Sequence, residues 1–205
     1  MDSIRIRKIV NICLIIMVAG SWVVMTLFGK GTLSQNGIGN LKYFTVLSNF
    51  LEAAASAVWL ADTCRNGRAG ECSERLKYVA AASVGLTFTT VMVFLGPLYG
   101  YAAMFTGANL FFHMIVPVSA IAEIVLLSDQ TYTVRDNNLA AIPPLIYGAV
   151  YLINIALNGI GEWPDTNDWY QFLAWGYPVG IFIFAVICLV TWSLGFFMRK
   201  AKRKG

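Results

Sequence analysis

An all-α bundle of six membrane-spanning helices is the fold class this sequence predicts, and three observations predict it. Charged residues make up 13% of the chain and hydrophobic residues 58%, whereas a soluble domain carries about 25% charge. The mean hydropathy is +0.64. Six apolar stretches recur along the chain, and about 20 residues at ~1.5 Å rise cross a ~30 Å hydrocarbon layer. A globule of this composition would lack the polar side chains to cover its surface. That excludes a soluble enzyme, a disordered chain and a disulfide-stapled secreted module. Residues 1–205 read as a single integral-membrane domain.

The first stretch, 9–29, follows a basic start that resembles the leading region of a signal peptide. Its apolar run is too long for one and no clean small-residue cleavage site follows, so it reads as a retained span. The others cover 43–62, 78–97, 109–127, 139–158 and 174–197. Helices are required because lipid cannot satisfy open backbone groups, and no alternating segments of barrel type occur. The loop 29–40 reads as short and flexible; the loop 159–170 is acidic and aromatic. No linker or internal repeat divides the chain.

Of the 15 lysines and arginines, all but Lys30 and Lys42 flank the spans on one side. By the positive-inside rule both termini are expected in the cytoplasm, in a plasma-membrane protein. The net charge of +4 is then an orientation signal and provides no groove for nucleic acid. Cys13 and Cys188 read as packing residues. Cys64 and Cys72 fall in a loop assigned to the cytoplasm, where a disulfide is not expected.

Absences narrow the chemistry. The sequence has no P-loop, no G-x-S-x-G, no H-E-x-x-H and no G-x-G-x-x-G. His113 is the one histidine, so no multi-histidine metal or haem site can be built. Neither metal nor cofactor is expected. Glu162, Asp165 and Asp168 could attract a divalent cation, but a solvated loop is the preferred reading. Trp163, Trp169, Tyr170, Trp175 and Tyr177 read as an aromatic belt and a rim.

Ionisable residues inside spans mark function by default, since each costs roughly 2.5–3.5 kcal/mol to insert. Glu52, His113 and Glu123 are such residues, while Asp62 at a span end reads as solvated. At 100° per residue Thr45, Asn49 and Glu52 share one helical face, with Ser48 beside them. That stripe must face the bundle interior. Pro117 lacks an N–H, so the fourth span is expected to loosen at His113 and to free the His113 carbonyl. Thr45 lies ~3 Å and His113 ~6 Å inside the outer boundary, so a hydroxyl and an imidazole share a depth. Glu123 reads as a second interior polar contact. Glu52 reads either as a structural partner or as a group that orients the site.

Tyr43-Phe44-Thr45 and Phe112-His113-x-x-x-Pro117 resemble the androgen-induced gene product family, which includes the androgen-dependent tissue-factor-pathway-inhibitor-regulating protein and related bacterial six-pass proteins. The six-span plan and Pro143-Pro144-Leu145-Ile146-Tyr147 extend the likeness. The resemblance implies a hydrolase that cleaves fatty acid esters of hydroxy fatty acids within the bilayer, with Thr45 as nucleophile and His113 as base. The residue chemistry agrees, because a hydroxyl nucleophile needs a base within hydrogen-bond reach. An oxyanion donor is also required, and Asn49 or Ser48 is expected to serve. Two other functions stay open: a small-solute or proton-linked transporter with Glu52, Glu123 and His113 as relay groups, and a non-catalytic membrane scaffold.

Overall fold

A computed structural model describes residues 3–28, 37–162 and 166–202, and these form an all-helical bundle. Six helices are long and apolar enough to cross a membrane: α1 (Ser3–Phe28), α2 (Phe44–Asn66), α3 (Glu71–Tyr99), α4 (Ala108–Leu127), α5 (Val134–Asn158) and α6 (Tyr177–Lys202). The chain is an integral multi-pass membrane protein. Residues 29–36 of the first expected loop lie outside the described residues, and Gly37–Lys42 forms a 3-10 turn leading into α2.

Several helices start earlier than the apolar runs suggest. α1 begins at Ser3 and α3 at Glu71, because the backbone ladder continues through polar residues whose side chains find partners inside the bundle. α6 starts later than expected, at Tyr177, since Gly176 adopts φ 90 and Pro178 sits in the first turn. The α2–α3 connection is tight. Gly67 closes α2 in the left-handed region at φ 75. Asp62 accepts the Gly70 N–H and the Ser73 hydroxyl, both at 2.6 Å. Asp62 therefore braces a helix start, where the sequence reading left it solvated.

α4 is irregular in a way that Pro117 explains. Phe111–Ile115 is a π-turn, in which the Val116 N–H bonds the Phe111 carbonyl. The Phe112 carbonyl thereby loses Val116, and Pro117 has no N–H to offer in its place. Asn49 of α2 supplies the missing donor from its Nδ2, 3.2 Å away. The helix loosens where expected, but the carbonyl that turns outward is that of Phe112, one residue before His113. The widened turn shifts the register by one position.

The end of the bundle that carries both termini is held by charge. Arg7 of α1 makes paired contacts with Glu74 of α3 at 2.6 and 3.0 Å. It also meets Glu123 of α4 at 2.9 Å, and lies over the Trp59 ring of α2. Lys77 of α3 pairs with Glu52 of α2 and with Glu123 at 2.8 Å. All five charged residues are buried. Arg7 and Lys77, expected among the loop charges that orient the chain, instead point inward. A charged residue just outside an apolar run reads as loop, yet on a helix it turns to whatever opposite charge its neighbours carry. Trp59 Nε1 completes Glu74 at 2.8 Å, and Asn11 Nδ2 completes Glu123 at 3.0 Å.

Removing one partner of a buried ion pair leaves the others uncompensated, at a cost of about 3–5 kcal/mol. Arg7→Ala strands Glu74 and Glu123 together and is expected to cost at least that much. Arg68→Ala, at an exposed site, is expected within about 0.5 kcal/mol of the parent. Denaturation midpoints of the two variants in one detergent measure the contrast.

Candidate active site

The site at the opposite end begins with a helix that lacks its own cap. Tyr43 at the start of α2 offers no side-chain cap. The Phe44 N–H instead donates to the hydroxyl of Tyr170, 3.0 Å away and distant in the chain. This matters because an open N–H at a half-buried helix start costs free energy. Tyr170 is placed by its own loop. Asp168 accepts the Tyr151 hydroxyl at 2.5 Å and the Leu173 N–H at 2.9 Å. The Tyr170 N–H donates to the same Tyr151 oxygen at 3.1 Å. Gln171 takes the left-handed conformation, φ 56, to close this turn. Burial pushes the Tyr170 phenol up to about 12, so it stays neutral.

The acidic loop is therefore a brace. Asp168 is buried and committed to α5 and to the loop backbone, where the sequence reading had it solvated. Glu162 is exposed, and Asp165 and Trp163 lie outside the described residues. Among the described residues no group of three or more metal-ligating side chains comes together. Trp175 and Tyr177 are exposed, and Trp169 donates to the Tyr147 hydroxyl at 3.0 Å.

Thr45 lies in the first turn of α2, at the wall of a small, partly open cavity of about 100 Å³ between α2, α3, α5 and α6. Thr45, Thr87, Thr90, Tyr147 and Tyr170 supply its polar atoms, and the other lining residues are apolar. That is smaller than the ~300–1,000 Å³ of typical small-molecule sites, so a larger ligand would extend through the open side. The two α3 threonines escaped the sequence reading, although Leu86-Thr87-Phe88-Thr89-Thr90 places Thr87 and Thr90 on one helical face.

His113 sits in the π-turn of α4, buried. Its Nδ1 lies 2.8 Å from the Met104 carbonyl oxygen. A carbonyl only accepts, so Nδ1 carries the proton and the neutral ring presents Nε2 as the acceptor. Ring orientation is thus fixed by the short helix Tyr101–Met104 that precedes α4.

Thr45 and His113 are on neighbouring helices, and one side chain ties their surroundings together. Asn49 Nδ2 donates to the Thr45 carbonyl at 2.7 Å and to the Phe112 carbonyl at 3.2 Å. No hydrogen bond joins the two side chains directly, and His113 is not among the residues lining the cavity. Ser48 turns the other way, to the Thr45 carbonyl and the Thr87 hydroxyl, both at 3.1 Å. Glu52 is drawn off into the charged core by Lys77. The polar stripe thus divides among a cavity, a helix bridge and an ion network. Glu52 and Glu123 meet at Lys77, away from the Met104 contact that holds His113.

Comparisons of the chain with protein-family models, with curated proteins and with solved structures found no match.

Tyr170→Phe keeps the ring and removes the cap. Losing a helix N-cap costs roughly 0.5–2 kcal/mol, and the stranded Phe44 N–H places this variant toward the upper end. The drop in thermal midpoint of Tyr170→Phe against the parent measures it, and backbone exchange at residues 44–47 should rise with it.

Proposed function

We propose that the chain is an intramembrane hydrolase of lipid esters, with Thr45 as nucleophile and His113 as general base. The observation that carries the reading is a threonine hydroxyl at the wall of an apolar cavity, one bridging asparagine away from the turn that bears the sole imidazole. The likeness of Tyr43-Phe44-Thr45 and Phe112-His113-x-x-x-Pro117 to the androgen-induced gene product family supports the substrate class, a fatty acid ester of a hydroxy fatty acid. The mostly apolar, partly open wall suits an ester at its threonine-bearing face with the acyl chains extending out between the helices. The excess of basic residues at the termini-bearing end supports cytoplasmic termini in a plasma membrane.

In the reaction, Thr45 Oγ1 attacks the ester carbonyl as its proton passes to His113 Nε2. The acyl–oxygen bond breaks, and the imidazolium returns the proton to the departing alkoxide. An acyl-threonine and a hydroxy fatty acid result. Water, deprotonated by the same nitrogen, then releases the fatty acid and restores the hydroxyl. Substrate brings Thr45 and His113 into hydrogen-bond reach, a tightening common when catalytic groups pass from the free to the bound state. Both amide hydrogens of Asn49 are held by carbonyls, so it positions α2 against α4. Ser48 donates to the Thr45 carbonyl and so takes the Thr87 hydroxyl hydrogen, which leaves Thr90, on the same wall as Thr45, as the better oxyanion donor.

Purified protein in detergent or nanodiscs should hydrolyse a fatty acid ester of a hydroxy fatty acid. Thr45→Ala should abolish turnover and covalent labelling by a fluorophosphonate probe, while Thr45→Ser retains both. His113→Ala should lower kcat by about 10²–10⁴-fold. Full activity in Thr45→Ala, with the fold intact, would remove the threonine from its role.

A further inference from the structure

The charged core at the termini-bearing end holds an odd charge. Glu52, Glu74 and Glu123 face Arg7 and Lys77, and all five are buried. If every group were ionised the core would carry one uncompensated negative charge. An unpaired charge in a low-dielectric interior costs far more than a paired one. The groups around the core do not supply the missing positive charge. Tyr132 reaches Glu74 as a neutral donor. Lys202 of α6 lies within electrostatic reach of Arg7 and Glu74, but also of Asp129. Arg75 is taken by Glu71 and Asp136. Arg199 lies over Phe196 and within electrostatic reach of the Tyr78 phenol, as does Asp136.

The three carboxylates are unequally supported. Glu74 sits in the first turn of α3, where the helix dipole favours an anion. It is bonded by Arg7, Trp59, Ser128 and Tyr132. Glu123 takes Arg7 and Asn11 on one oxygen and faces Lys77 with the other. Glu52 has Lys77 and Ser56 on Oε1, and its Oε2 is buried with no partner. Three residues earlier on the same helix, Asn49 Oδ1 is also buried with no partner. Residues at i and i+3 are neighbours on a helix surface, with Cβ atoms about 5–6 Å apart. Two buried acceptors at neighbouring positions of one helix face lack a donor, beside a core that lacks one positive charge.

We propose that the core is a proton-binding site, with one exchangeable proton on Glu52 Oε2 shared toward Asn49 Oδ1, directly or through a water. The proton removes the excess charge and satisfies both oxygens at once. Glu52 then accepts from Lys77 as a neutral acid, and Lys77 is left to balance Glu123. This site stands apart from the ester chemistry and does not depend on it. Because Asn49 also holds the Thr45 and Phe112 carbonyls, loss of the proton would loosen the same side chain that joins α2 to α4.

Infrared difference spectroscopy of the full chain in nanodiscs tests this. At neutral pH the parent should show the carbonyl stretch of a protonated carboxyl, shifting on exchange into D₂O and disappearing as the pH is raised. Glu52→Gln, an isosteric neutral replacement that preserves the Lys77 contact, should lack the band while keeping its helical circular dichroism. Glu123→Gln, which leaves Lys77 to Glu52 alone, should lose it too. Asn49→Leu should keep the band and move it to higher frequency, as a lost acceptor does. A parent with no such band at neutral pH overturns the proposal without recourse to any variant. So does a band that survives in Glu52→Gln or stays in place in Asn49→Leu. A band that appears only when sodium is replaced by a bulky organic cation would assign the site to a metal cation and overturn the proton.

Discussion

Lipid offers a polar atom no partner, and this one constraint organises the molecule. Backbone groups meet it by forming helices. Side chains meet it by pairing across them, and Arg7 is the clearest case. Its guanidinium makes contacts to Glu74 of α3 and Glu123 of α4, with the Trp59 ring of α2 against its face. Four helices are thereby fixed by one planar group, whose geometry matches two carboxylates at once. Nonspecific apolar packing could not do the same, because lipid tails are as apolar as the helices they would leave.

The constraint also shapes the other end. Pro117 and the π-turn before it free the Phe112 carbonyl, and the buried Asn49 closes that defect. The same amide holds the Thr45 carbonyl. A flaw in one helix is thus repaired by a side chain whose other bond sets the first turn of α2. Tyr170 repairs a second flaw, the uncapped start of α2, and forms part of the cavity wall in doing so. The polar atoms near Thr45 are therefore few and mostly committed, and Thr45 and Thr90 line a largely apolar cavity. That arrangement supports the lipid ester proposed above as the substrate.

Much of this was legible in the residues and some was not. The six spans could be read from apolar length. The inward face of Thr45, Asn49 and Glu52 could be read from helical spacing, and a break near His113 from Pro117. Arg7, Glu74 and Lys77 were not legible as core residues, because they stand just beyond the apolar runs where a charge ordinarily meets water. Asp168 was misread for a related reason: among polar neighbours in a loop, nothing local distinguishes a solvated carboxylate from one bonded to Tyr151. Thr87 and Thr90 lacked any sign that α3 would turn that face toward Thr45.

What the sequence determined by itself was the solvent the chain must fold in, the number of crossings, and which faces lipid could not touch. Those follow from composition and from a periodicity local to each helix. Only the tertiary structure decided which polar group answers which: Arg7 to Glu74 and Glu123, Lys77 to Glu52, Asn49 to Phe112, Tyr170 to Phe44. Each of those pairs joins residues on different elements of the bundle. Their choice depends on how whole helices rotate and cross, a property of the packed bundle that no single segment carries.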